Sequence, residues 1–105
     1  MVAMHLALRY PQRVASLALC FTTARVAPEG MLQRAADTER IGSVGMAPGT
    51  MERWFSSDVL AAPEQPSGLR YARERLENTS AENVADVWRA IAEHDVLAEL
   101  SRIRV

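Results

Sequence analysis

The chain has 105 residues, 49% of them hydrophobic, and a formal net charge of -1. Those values suit one small domain or a piece of a larger one. Charges of both signs are interspersed without a basic run, which argues against nucleic acid as a partner, and no apolar run is long enough for a membrane span.

The first stretch, MVAMHLALRYPQRVASLALC, opens in helix pattern without any Ser, Thr, Asp or Asn ahead of it to cap a helix start. Met1 leads directly into the apolar block with no positive flank, which rejects a secretory signal. Pro11 biases its predecessor out of the α region, so this helix must end near Tyr10. Val14 to Phe21, VASLALCF, is short and nearly all apolar. A buried helix and a buried strand look alike at this length. The turn signal before it and TTARVAPEG after it select a strand covered on both faces. Cys20, the single cysteine, can form no internal disulfide and suits a reducing, cytoplasmic setting.

Gly30 to Ile41 reads as a polar helix closed by Gly42. GSVGMAPG, rich in glycine with one proline, reads as a loop. Thr50 is placed to cap a short helix, MERWFS, and AAPEQPSG reads as another loop. LRYARERLEN is amphipathic, with Leu69, Ala72 and Leu76 on one face. Ser80 is a good N-cap, and Val84, Val87, Trp88 and Ile91 then fall at i, i+3, i+4 and i+7, an inward stripe. Asp95 is placed to cap a last short helix, VLAELS, and IRV at the end has the texture of a strand. The cap region is expected to assemble from about four helices.

Several of these segments resemble one family. MVAMHLALRYPQRVASLALCFTTA is similar to the segment after the nucleophile elbow of α/β-hydrolases. There a Gly-x-Ser-x-Gly turn leads into a helix, a Tyr-Pro-x-Arg-Val-like turn ends it, and a buried strand follows. Tyr10, Pro11, Gln12, Arg13 and Val14 match that turn. MERWFSSD and NTSAENVADVWRAIAEHDVLAELSRIRV look like the helical cap of 3-oxoadipate enol-lactonases and close relatives, including the spacing of Asp95 to Leu100.

The resemblance implies a partial α/β-hydrolase fold, in which this chain is mainly helical with one core β-strand. Residues 1–24 would be a piece of the hydrolase core, 25–98 the helical cap or lid, and 99–105 the return to the core. The nucleophile would lie before Met1, and the acid and histidine after Val105, so no catalytic residue is assigned within the chain. The implied parent reaction is serine hydrolysis of a carboxylic ester or enol-lactone, not catalysed by this chain alone. The same resemblance puts Arg53 and Trp54 over the active site as substrate-binding residues. Guanidinium binds a carboxylate by two parallel hydrogen bonds, and indole supplies an apolar wall with one donor. The alternative is that both are ordinary cap residues.

The remaining candidates read as structural. His5, in an apolar helix with no elbow motif nearby, reads as packed or half-exposed. His94 reads as a helix-end residue, favoured as an imidazolium by the dipole or simply exposed. Cys20 reads as a small buried apolar residue. Trp88 reads as core, and the arginines of LRYARERLE as a solvated face. Two histidines and one cysteine, far apart, give no metal-ligand spacing, and no cofactor is expected. The expected partner is a small-molecule ester or lactone in the parent protein, with self-association through apolar surface left uncovered. A function of a different class, a small non-catalytic helical binding module, stays open beside the hydrolase reading.

Overall fold

A computed structural model describes residues 1–104. Five α-helices follow in order: α1 (Val2–Arg9), α2 (Pro28–Trp54), α3 (Ser57–Ala61), α4 (Ser67–Glu77) and α5 (Ala81–Ala92). Two 3-10 turns, Pro11–Arg13 and Leu97–Arg102, complete the regular structure.

The body of the molecule is α2 packed along α5, with α4 against α2. Ala35, Ala47 and Met51 of α2, Leu69 of α4 and Ala85 of α5 are buried. Three of these five are alanines. Small side chains at a crossing let helix axes approach closely. α5 forms where the spacing of its apolar residues places it, with the Ser80 hydroxyl accepting from the Asn83 N–H at 3.4 Å. On the outer side, Arg89 donates to Glu39 at 2.6 Å and to Asp86 at 3.1 Å, linking α5 to α2. The Glu39 hydrogen bond is the main cause of an upward shift in the Arg89 pKa. Such an exposed pair adds orientation more than stability.

α2 is two arms rather than one rod. Gly42, at φ 74° and ψ 168°, breaks the helix between 28–41 and 43–54. That region of backbone space is essentially restricted to glycine. The expected stop at Gly42 therefore occurs, but the expected loop after it does not. GSVGMAPG folds as the start of the second arm, with Pro48 inside it. Thr50 is not a cap. It lies within the helix, and its hydroxyl donates back to the Met46 carbonyl at 3.0 Å. Packing of Ala47 and Met51 on the body overrides the poor helix propensity of Gly45, Pro48 and Gly49.

The core β-strand expected over residues 14–21 is absent, and with it the fold class of a partial α/β-hydrolase carrying one strand. Among the described residues there is no sheet. The sole pairing is an isolated antiparallel bridge between Arg25 and Asp95. Residues 14–24 run without regular structure. A strand needs a neighbour to bond its N–H and C=O groups, and none of the described elements offers an edge here. Phe21, at φ 48°, also interrupts the run. At the other end, Ile103 and Arg104 are irregular, and Val105 lies outside the described residues.

Residues 24–26 and 94–96 hold the leading stretch to the body. Val26 N–H donates to the His94 carbonyl at 3.3 Å, and Val96 N–H to the Ala24 carbonyl at 2.8 Å. α1 packs on the Leu97–Arg102 turn, burying Met4 and Ala7. Asp95 is not the cap of this turn, a position that Val96 takes, but from one residue earlier its carboxylate accepts from the Leu97 N–H at 3.1 Å.

The result is an extended molecule. Its radius of gyration is 17.0 Å, against about 13 Å for a compact chain of this length. Its accessible surface is 7561 Å², against about 5,800 Å² for a compact protein of this mass.

Candidate functional site

The kink at Gly42 opens a cavity of about 170 Å³ between the arms of α2 and the facing sides of α4 and α5. α2 and α5 contribute residues one turn apart, which share a face. Arg34 and Thr38 come from the first arm, and Met46, Thr50, Arg53 and Trp54 from the second. Leu76 of α4 and the Val84–Trp88 pair of α5 form the opposite wall, and Ser43 lies next to the kink.

Most of the wall is apolar, and the polar groups are mainly cationic or hydrogen-bond donors. The Arg34 guanidinium lies 5.1 Å from the centre of the Trp88 ring, a cation–π contact. Arg53 donates to the Thr50 hydroxyl at 3.0 Å. Neither arginine is paired with a carboxylate among the described residues, and no Asp or Glu lines the cavity. In a chain whose net charge is -1, this is a local concentration of positive charge. Thr38 and Thr50 donate their hydroxyl protons to helix carbonyls, those of Arg34 and Met46. Ser43 Oγ is buried without any hydrogen-bond partner.

Trp54 has a second role in the architecture. Trp54, Leu76 and Val84 also line an adjoining apolar hollow with Tyr71 and Ala72, and so form the partition between the two spaces. A larger depression at Pro63, Glu64, Gln65 and Arg70 has no comparable apolar wall.

Arg53 and Trp54, singled out in the sequence, thus meet in one cavity. Arg34, Ser43 and Trp88 join them there, and sequence reasoning missed all three as site residues. Trp88 was expected as core, and is instead a half-buried cavity wall. Its stripe is corrected at one further position. Val87 is 57% exposed, while Val84 and Ile91 are half-buried.

Of the histidines, His5 is half-buried on α1 as expected, and His94 is placed differently. His94 is buried rather than exposed. Its Nε2 lies 2.9 Å from the Thr23 carbonyl, and its Nδ1 lies 3.1 Å from His5 Nε2. A carbonyl can only accept, so His94 carries its proton on Nε2 when neutral. Its Nδ1 then accepts from the His5 Nε2–H. The pair joins α1 to the end of α5 and is a structural tie. Neither ring is hydrogen-bonded to a serine or a carboxylate among the described residues, so no nucleophilic triad is assembled there. Cys20 is exposed, not buried.

No helix among the described residues is long and apolar enough to cross a membrane. Comparison with protein-family models, curated proteins and solved structures finds no match to this chain.

Proposed function

We propose that this chain is a substrate-binding helical cap of a serine hydrolase acting on a small carboxylated ester or lactone, like the cap of 3-oxoadipate enol-lactonases. The observation that carries this reading is the shared cavity of Arg53 and Trp54, with a second arginine and no acid. A carboxylate matches the guanidinium fork with two parallel hydrogen bonds, and an indole wall suits a flat ring. Size points the same way. An apolar cavity of about 150 Å³ takes up benzene, so a space of this volume suits one ring with a short arm.

In this reading Arg53 holds the carboxylate, Trp54 closes the side of the pocket, and the reacting groups come from elsewhere in the parent protein. The chain by itself hydrolyses no activated ester above background. An exposed free thiol at Cys20 is in keeping with a reducing, cytoplasmic setting. The uncovered apolar side chains of residues 1–24 are a surface for self-association of the chain when it is alone.

Both tryptophans of the chain line the cavity, so intrinsic fluorescence reports its occupancy. The test is a titration with cyclopentanecarboxylate and with its neutral amide. Binding of the acid and not the amide is expected. Arg53→Ala is expected to weaken it by about 1.5–3 kcal/mol, the value of a hydrogen bond to a charged group. Equal response to acid and amide, or none to either, would remove the reading.

The second reading, a non-catalytic helical binding module, is favoured by one feature. The cavity is built by α2, α4 and α5 alone. Flanking coding sequence with Gly-x-Ser-x-Gly upstream and Asp and His downstream would decide for the hydrolase.

A further inference from the structure

Among the described residues, one hydrogen bond joins α1 to a distant part of the chain, and it runs between two histidines. His5 Nε2 and His94 Nδ1 are 3.1 Å apart, with the ring planes at 70°. No other group of α1 is hydrogen-bonded or ion-paired to the body among the described residues. Beyond that bond, α1 is held by the burial of Met4 and Ala7. A helix of eight residues is not stable alone in water, so α1 exists only while it is docked.

The protons at this bond can be counted. His94 Nε2–H donates to the Thr23 carbonyl at 2.9 Å and keeps that proton in either charge state. In the neutral pair, His5 Nε2–H donates to His94 Nδ1. A first added proton at His5 Nδ1 leaves that bond in place and makes it charge-assisted, hence stronger. A second proton has one place left, His94 Nδ1. Two N–H groups then face each other with no acceptor between them, and two cations stand with ring centres 5.2 Å apart.

The surroundings do not rescue the doubly charged pair. On one side both rings share an apolar hollow with Val2, Val87, Ala90 and Ile91, where Met1 brings the α-amino group, a further cation. On the other, His5 shares a depression with Arg9, Tyr10, Asp95, Glu99 and Arg102. The two carboxylates there are already paired, Asp95 with Arg25 at 2.8 Å and Glu99 with Arg102 at 2.5 Å. Arg9 adds a cation without a carboxylate partner among the described residues. Glu93, beside His94 in the chain, is exposed. The C-terminus of α5 favours positive charge at His94, but helps the first proton as much as the second.

We propose that the His5–His94 pair is a proton-counting tie. It holds α1 with no added proton or with one, and releases α1 when both rings are charged, within the range of about pH 5 to 8 where histidines titrate. The closed pair binds the first proton better than the open pair does, and the second worse. The tie therefore tightens on first acidification and opens on the next. Release bares Met4 and Ala7, while His94 stays bonded to Thr23. The tie lies apart from the cavity between the arms of α2 and stands whatever that cavity binds.

The test takes the isotopically labelled full chain from about pH 8 to pH 5. Nitrogen NMR of the two rings reports the tautomer and charge of each. Hydrogen exchange at the Tyr10 amide, which donates to the Leu6 carbonyl at 2.8 Å, reports the state of α1. Its protection, taken against the intrinsic rate at each pH, should hold or rise through the first charging step. At the second it should fall by about tenfold, the value of one lost hydrogen bond. The Val26 amide, bonded to the His94 carbonyl, should stay protected throughout. His5→Gln puts an uncharged amide near the position of Nε2, able to donate to His94 Nδ1 or to accept from it, and should keep Tyr10 protected at pH 5. His5→Ala, which has no tie, should show reduced protection already at pH 8 and no further step. Both rings charged with Tyr10 still protected would mean that His5 only turns to solvent, and would overturn the proposal. So would a ring still neutral at pH 5, an equal fall in His5→Gln, or a proton on His94 Nδ1 at pH 8.

Discussion

The first 24 residues are more apolar in sequence than the helical body, yet they are the less well covered of the two. In the body, α2, α4 and α5 cover one another, and Leu69 and Ala85 are fully buried. In the leading stretch, Leu19 is 48% exposed and Phe21 wholly so. The difference lies in partners. An amphipathic helix satisfies its own backbone and needs only one face covered. An extended apolar run has to find both hydrogen-bond partners and cover for two faces. Among the described residues it finds the short bridge at Arg25 and Asp95 and the His94 hydrogen bond to the Thr23 carbonyl.

The sharpest way to break this contrast is to delete equivalent apolar groups on each side of it. Leu69→Ala is expected to destabilise the body by about 2–5 kcal/mol, since it leaves a cavity at a fully buried site. Leu19→Ala is expected to change stability by no more than about 0.5 kcal/mol. Urea unfolding followed by helical circular dichroism measures both. A large loss from Leu19→Ala would mean that the leading stretch is part of the cooperative unit.

Next in size is the kink. Gly42→Ala forces a side chain into a backbone region essentially reserved for glycine, at a cost of about 1–3 kcal/mol. No neighbouring atom lies within 4 Å of an added Cβ, so the whole effect is conformational. The expected result is lower stability together with a changed tryptophan spectrum, because Trp54 and Trp88 face the space the kink opens. A variant of unchanged stability would show that α2 straightens without penalty.

These two regions also differ in how much of them the sequence discloses. α4 and α5 are legible because their apolar spacing and the Ser80 cap are local signals. Gly42 is legible as a stop for the same reason. The second arm of α2 is not, because Gly45, Pro48 and Gly49 all speak for a loop and only packing of Ala47 and Met51 speaks against it. VASLALCF reads as a strand because its composition is right for one. Strand formation depends on a neighbour, which composition cannot supply. Arg53 and Trp54 stand out through a resemblance in sequence. Ser43 and Arg34 become visible only when the kink brings two arms to one cavity. The bond between His5 and His94 spans 89 residues and leaves no trace in local spacing.

A smaller effect is expected on association. Phe21→Ser with Leu19→Ser removes the two large apolar side chains most exposed in residues 14–24. Sedimentation should show the wild-type chain self-associating and the double variant shifted towards monomer, with helical content unchanged. Self-association that persists at the same strength would move the responsible surface elsewhere, with exposed Val87 on α5 the next place to look.

The smallest expected effect is also the most local, and it concerns the stitch between the two regions. The Asp95 carboxylate accepts from the Leu97 N–H and from Arg25 at 2.8 Å. The backbone hydrogen bond is the larger cause, and together they hold its pKa below the ordinary 3.8, against the opposing effect of desolvation. A carboxylate with a depressed folded pKa contributes stability above its unfolded pKa and loses it as pH falls through the folded value. The stitch should therefore be intact at neutral pH and loosen only in acid, from about pH 4 downwards. The readout is hydrogen exchange at the Val26 and Val96 amides, whose bonds to His94 and Ala24 form the bridge. Asp95→Asn should speed exchange at both amides at pH 5, and by less at lower pH as the wild-type carboxyl takes up its own proton. Asp37, whose pKa is lowered chiefly by its hydrogen bond from Arg40, lies within α2 and provides the control. Asp37→Asn should leave both bridge amides unchanged at either pH. Equal acceleration by the two variants would mean that the bridge opens with the body as one unit, and the division of the molecule into a closed body and a loosely tied leading stretch would fail.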